Sequence, residues 1–383
     1  MKPDTLCLHA DNNKKDVWGT ISMPVCQAAT FVHDGNGNSL YSYSRLSNPT
    51  RDHLEHTVAV LEGGTSAVAF SSGMAAETVL FQIFAPPAHI IATDDMYGGT
   101  LRLFREVYEK SGYSFDFTDT GDLSAVEKLI KPETKAIYVE SPSNPLMQVT
   151  DIAAIARLAH AHGLLLIVDN TFLSPYFQNP IALGADIVVH SGTKYLGGHN
   201  DVLAGFLVVA NEELGERVRF YAKTIGACLA PWDCFLVERG IKTLAVRMER
   251  INENAKLVAA FLRNDPHVKK VYYAGFADRA DYEISLKQTR GFGGMISFEA
   301  DNENTVKHLL ADVRVFQYAE SLGGTESLIT YPVRQTHADV PKEEREARGI
   351  NDRFLRISVG IENAQDLIED LKQAFAGADE DKK

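Results

Sequence analysis

One lysine, Lys194, stands directly after an apolar run in ADIVVHSGTKYLGGHND (residues 185–201), just past Ser191 and Thr193 and before a glycine pair. A lysine at the mouth of a buried strand, flanked by hydroxyls, suits a covalent or proton-moving role better than a solvated one. About one strand–helix–strand period earlier, LLLIVDNTF ends the most apolar run of the chain on Asp169. A carboxylate there is costly unless it caps the backbone that follows or meets a cation. A third cluster, AVAFSSGMAA, passes from an apolar run through Ser71, Ser72 and Gly73 into a helical pattern. A tight turn followed by the free N–H groups of a helix start can form an anion site. The dinucleotide and Walker-type glycine signatures are missing, which removes the main support for those readings.

These residues need elements that bring them to one place. From about residue 65 to 210, short β-branched runs such as HIIAT, KAIYVE, LLLIVDN and ADIVVHS alternate with amphipathic stretches. Strands that are apolar throughout, separated by helices, predict a mainly parallel sheet covered on both faces, with ligands bound beyond the carboxyl ends of the strands. The expected fold class is α/β. Residues 1–50 read as an extended N-terminal arm, 51–245 as a large α/β domain and 246–383 as a smaller C-terminal α+β domain. Residues 211–250 read as largely helical from an Asn cap, and the charged tail GADEDKK as frayed.

The chain has 383 residues and a formal net charge of −13, with no basic stripe, which argues against a nucleic-acid partner. Its apolar runs are too short to span a bilayer and its N-terminus lacks the apolar core of a signal peptide, so the expected location is cytoplasmic. The 4 cysteines form no CxxC pair, so neither a disulfide framework nor a metal site is expected. His160 and His162 face different ways on one helix, and CLAPWDC reads as buried packing.

A lysine, an acid on a neighbouring strand end, hydroxyls and a helix start together suit pyridoxal 5′-phosphate. Its aldehyde needs a lysine, its ring nitrogen a carboxylate, and its phosphate hydroxyls and N–H groups. With PVCQAATF, YSYSRLSNPTR, DMYGGT, VESPSNPL, HSGTKYLGGHND, ESLGGTESL and LRISVGIE also present in order, nearly the whole chain resembles the Cys/Met-metabolism family of pyridoxal-phosphate enzymes. That family includes cystathionine γ-synthases, cystathionine β- and γ-lyases, O-acylhomoserine sulfhydrylases and methionine γ-lyases.

The resemblance implies a fold-type I transferase architecture and roles for particular residues. Lys194 would be the Schiff-base lysine and later move protons. Asp169 would be the ring-nitrogen partner, and Ser191, Thr193 and the backbone of Gly73 and Met74 the phosphate cup. Tyr97 would stack on the cofactor and act in catalysis by taking a proton from the incoming amine, and Asn144 would lie near the cofactor's 3′-oxygen. Arg356 would clamp the substrate α-carboxylate, and Ser321 would lie in a loop facing the lysine. Tyr43 and Arg45 would reach the phosphate in a neighbouring subunit, implying a dimer with shared sites and a tetramer built from two dimers. The substrates would be small amino acids.

The resemblance divides on reaction direction. Glu320, before Ser321, is similar to the acid of γ-synthases and many γ-lyases that can meet a distal ammonium. Gly99 stands where methionine γ-lyases usually carry cysteine. The expectation is a cystathionine γ-synthase, joining an O-acyl-L-homoserine to cysteine, with a cystathionine β- or γ-lyase or an O-acylhomoserine sulfhydrylase as the alternative. A non-catalytic descendant has no reason to keep Lys194, Asp169, Tyr97 and Arg356 together.

Overall fold

The computed structural model describes residues 1–10, 19–338 and 340–380. The last three residues of the charged tail lie outside that range.

Seven strands form the larger sheet: β1 (Ser66–Phe70), β2 (Ala88–Thr93), β3 (Tyr113–Thr118), β4 (Thr134–Glu140), β5 (Leu165–Asp169), β6 (Ile187–Ser191) and β7 (Gly205–Val209). Their order is β1-β7-β6-β5-β4-β2-β3. All neighbours run parallel except β7, which is antiparallel to both β1 and β6. Every residue of β7, an uninterrupted apolar run, is buried, and so is every residue of β2, because helices cover both faces. The helices between strands start on side-chain caps that the sequence supplies. Ser72 accepts from the Ala75 N–H, Asp151 from Ala154 and Asn211 from Leu214.

The smaller sheet comprises β8 (Val268–Tyr272), β9 (Met295–Ala300), β10 (Gln317–Tyr318), β11 (Leu328–Thr330) and β12 (Phe354–Ser358), in the order β10-β11-β12-β9-β8. The 21-residue helix Leu244–Asn264 joins the two cores. Leu244, Met248 and Ile251 pack beneath the larger sheet, whereas Ala255, Val258 and Leu262 pack beneath the smaller one. Packing on two cores holds the sheets in one relation, which matters because the site draws on both.

Three expectations change in detail. The first residues are not extended throughout: Pro3–His9 is a helix whose Cys7 is buried, and Asp4 accepts from the Tyr176 hydroxyl at 2.9 Å. The buried Cys7 and the hydrogen bond from Tyr176 offset the small helix propensity of so short a segment. From 19 to 48 the chain is an arm, held by isolated pairing between Thr30 and Tyr43, with Ile21 100% and Val32 94% exposed. The tail is helical through Glu380, because Ala378 is buried and Asp379 reaches His267 at 3.2 Å. In CLAPWDC, Leu229 and Cys234 are buried, but Trp232 is 55% exposed.

Candidate active site

The carboxyl ends of β1, β4, β5 and β6 lie on one edge of the larger sheet, and a cleft of about 350 Å³ opens there. Its lining includes Gly73, Met74, Tyr97, Asn144, Asp169, Ser191, Thr193, Lys194, Glu320, Ser321 and Arg356. Eleven of the thirteen candidate residues therefore meet in one place. Tyr43 and Arg45 do not line it: the Arg45 guanidinium donates to the Lys223 carbonyl and lies over the Tyr43 ring, at 5.5 Å from its centroid.

Lys194 leaves β6 through a tight turn. Its own N–H donates to the Ser191 carbonyl and its carbonyl accepts from Gly198 at 2.7 Å. Gly198 has φ +71°, and a Cβ there would meet the Arg247 guanidinium at 2.1 Å, so the glycine pair lets the turn close. The Lys194 ammonium donates to Ser321 Oγ at 2.8 Å. Ser321 itself sits at φ +109°, a conformation a side chain disfavours, in the loop just before Leu328–Thr330 of the smaller sheet. Burial, followed by the charge of Arg356, lowers the Lys194 pKa to about 8, against the opposing pull of Glu320. A lysine so placed yields its proton readily.

Asp169 ends β5 beside Val189 of β6, and Oδ1 accepts from the Thr171 N–H at 2.8 Å. Asp169 thus caps the turn that follows it, while the helix Ser174–Phe177 starts without a side-chain cap. Burial raises the Asp169 pKa, against the opposing pull of the Thr171 contacts and of His190.

Arg356 projects from the centre of β12, 2% exposed. Its guanidinium donates to Asn144 Oδ1 at 2.8 Å and to the Ser321 carbonyl at 3.2 Å, both neutral, and Nε has no partner among the described residues. Burial draws its pKa down to about 10. A planar cation held by neutral acceptors is ready for a carboxylate.

At the other end, Gly73 and Met74 open the helix Gly73–Phe81, so their N–H groups have no intrahelical acceptor. A Cβ on Gly73 would lie 3.1 Å from Ser191 Cβ, and one on Gly205 would strike the Ser72 carbonyl at 2.0 Å. The backbone is thus drawn close enough to cradle an anion. Ser72 and Ser191 hydroxyls line this end. The Thr193 hydroxyl is engaged with Ala204, donating to its carbonyl at 3.2 Å and accepting from its N–H at 3.0 Å. Tyr97, 39% exposed, presents a ring to the cleft.

An anion cradle, a buried acid, a lysine of low basicity, an accessible ring and an arginine held only by neutral acceptors match the demands of pyridoxal phosphate bearing an amino acid. No candidate for a metal ion occurs among the described residues.

Sequence reasoning missed several lining residues. Glu140 accepts from the Tyr97 N–H at 2.9 Å and so fixes where the ring stands. Its signal was available, because it ends β4 as Asp169 ends β5. Glu77, the one acid in GMAAETVLF, was likewise visible as an acid in an otherwise apolar helix. Phe172, Leu203 and Thr336 also line the cleft, and no local pattern marks them.

The fold and the site define an enzyme that depends on pyridoxal phosphate. The chain belongs to the family described as Cys/Met metabolism PLP-dependent enzyme, whose model matches residues 4–376. It is 49% identical over 372 residues to a cystathionine beta-lyase of Lactococcus lactis subsp. cremoris, covering 97% of this chain and 98% of that one. It is 46% identical over 375 residues to a cystathionine gamma-synthase of Haemophilus influenzae, covering 97% of each. The crystal structure of a cystathionine gamma-lyase from Lactobacillus plantarum complexed with L-serine superposes with a TM-score of 0.97 at 45% identity, over 99% of this chain and 100% of that one. These likenesses make the protein a trans-sulfuration enzyme with the fold-type I architecture.

Proposed function

We propose that the protein is a cystathionine γ-synthase, which replaces the acyl group at Cγ of an O-acyl-L-homoserine with the sulfur of cysteine. The observation that carries this reading is Glu320, whose carboxylate lies at the cleft mouth close enough to act on the charges of Lys194, Tyr97 and Arg356. A carboxylate there can meet the ammonium of an incoming cysteine while its sulfur approaches Cγ.

Pyridoxal phosphate, when bound, supplies an electron sink for negative charge developing on the substrate carbon next to it. Lys194, Asp169, Ser191, the N–H groups of Gly73 and Met74, Tyr97 and Asn144 would hold it. Arg356 orients the substrate by its α-carboxylate, and Lys194 Nζ, of low basicity, moves the Cα and Cβ protons one at a time, giving up the first before it takes the second. The acyl group leaves as its carboxylate, the thiol gives up its proton to solvent as sulfur bonds Cγ, and the same amine returns protons to Cβ and Cα. Phe172, buried beside the cleft, supplies an apolar wall that limits the room for water.

Tyr43 and Arg45 complete the phosphate end in a second copy of the chain, so the active unit is a dimer and the full assembly a tetramer. The exposure of the arm, which leaves Ile21 and Val32 uncovered, supports this.

A second reading, cystathionine lyase, is favoured by the names of two relatives, the beta-lyase at 49% and the gamma-lyase at 45% identity. One purified sample decides between them with two feeds. Cystathionine formed from an O-acylhomoserine and cysteine with a much higher kcat/KM than its own breakdown supports the synthase. Faster breakdown of cystathionine overturns it: pyruvate then marks β-cleavage and 2-oxobutyrate γ-cleavage.

A further inference from the structure

Behind the cleft floor, Tyr138 of β4 lies between two acids. Its hydroxyl is 3.2 Å from Glu77 Oε1 and 3.5 Å from Asp169 Oδ2. A phenol has one hydrogen. Both contacts are hydrogen bonds only if one of the two carboxyls brings its own proton.

The surroundings decide which. Asp169 Oδ1 accepts from the Thr171 N–H, the Thr171 side chain assists, and His190 lies within electrostatic reach, all of which favour an anion. Glu77 accepts from the Thr100 hydroxyl at 3.0 Å and has no cation beside it. Its Oε2 is buried without a partner among the described residues, tolerable for a neutral carbonyl oxygen but costly for a charged one. The other groups facing Glu77 are Tyr138 and Glu140 on β4, Asp169 on β5 and Tyr97 before the helix Gly98–Leu103. Three carboxyls in one dry space cannot all be charged. Burial, followed by the charge of Asp169, raises the Glu77 pKa to about 8.

We propose that Glu77 is a positioning residue that keeps its proton and acts on the cofactor's ring nitrogen through Tyr138 and Asp169. Neutral Glu77 donates to the Tyr138 oxygen, and Tyr138 then directs its own hydrogen to Asp169. The anion facing the ring is thereby steadied without a second charge. The inference rests on reading Asp169 as the ring-nitrogen partner.

The test uses the cofactor-loaded chain and the variants Glu77→Gln, Glu77→Val, Tyr138→Phe and Asp169→Asn. The infrared difference between wild type and Glu77→Gln should contain the carbonyl band of a protonated carboxylic acid at neutral pH, lost on raising the pH past about 8. A carboxylate band at neutral pH overturns the inference. Glu77→Gln, neutral and still a donor, should hold pyridoxal phosphate within about twofold of wild type, while Glu77→Val and Tyr138→Phe each weaken it about tenfold. The Glu77→Val/Tyr138→Phe pair should be no worse than either alone, because both break one chain. Equal weakening in Glu77→Gln and Glu77→Val, or additive losses in the pair, also overturns it. Asp169→Asn reads the underlying assignment separately: unchanged cofactor affinity and spectrum in that variant would remove the role of Asp169, whatever the infrared band reveals about Glu77.

Discussion

Lys194 Nζ and Ser321 Oγ lie 2.8 Å apart, although one residue follows β6 of the larger sheet and the other precedes the β11–β12 pair of the smaller one. The contact ties the reactive amine to the loop carrying Glu320, so the lysine and the residues that select substrate are set by one packing relation between two cores. Lys194→Ala should abolish the yellow absorbance of the loaded protein and all turnover without lowering the melting temperature. His160→Ala is the control: that imidazole is on the surface beside Asp186, at 2.9 Å, and its loss should leave the colour intact. Yellow protein from Lys194→Ala would sink the assignment.

The buried amine also gives the cofactor-free chain a dependence of stability on pH. Lys194 titrates near 8 folded and near 10.5 unfolded. Between those values the unfolded lysine binds a proton that the folded one lacks, so stability rises with pH across the window. Below about 8 both are protonated, and the cost of the buried charge is at its greatest. Measured against Lys194→Met by denaturant unfolding, wild type should gain about 3 kcal/mol between these two limits. A flat difference means the amine is better solvated than its burial implies.

Arg356 offers a forked donor held by Asn144 and Ser321. Arg356→Lys keeps the charge but loses the fork, so KM for amino-acid substrates should rise by about ten- to a hundredfold, with a smaller change in kcat. Steady-state kinetics with the preferred substrate test this, and an unchanged KM would place the carboxylate elsewhere.

Gly205 is the first residue of β7, where a Cβ would press on the Ser72 carbonyl and on the Gly73 nitrogen at 2.7 Å. Gly205→Ala must shift the start of the helix Gly73–Phe81. Cofactor affinity should fall by about tenfold or more, and inorganic phosphate should compete less well for the apoprotein, while the core strands keep their packing. Equilibrium dialysis against pyridoxal phosphate reads the outcome.

Sharing of the site between two chains is tested by mixing Arg45→Ala with Lys194→Ala. If Arg45 serves the neighbour's phosphate, mixed dimers contain one site with both native residues, and activity should reappear up to about a quarter of wild type, because random pairing makes half the dimers mixed and each of these has one native site of two. Arg45→Ala protein with full activity of its own would end this reading.

Much of this site was legible in the order of residues. The fully apolar runs ending on Asp169 and Ser191 could only be inner strands of a covered sheet, and strand ends in such sheets point to one edge, so Lys194, Asp169 and Gly73 were bound to meet. Periodicity and capping are local, and local patterns survive in a linear string. Three things were settled by tertiary packing alone. Strand β7 runs against its neighbours, which puts Gly205 and not a side chain against Ser72. Arg356, deep in the second sheet, is brought over Asn144 by the helix Leu244–Asn264 packing on two cores at once. Tyr138 reaches Glu77 and Asp169 across the sheet face, a meeting of three polar groups far apart in the chain. Proximity of that kind depends on how strands are ordered and how deeply a group is buried, and neither is written in any short stretch of sequence.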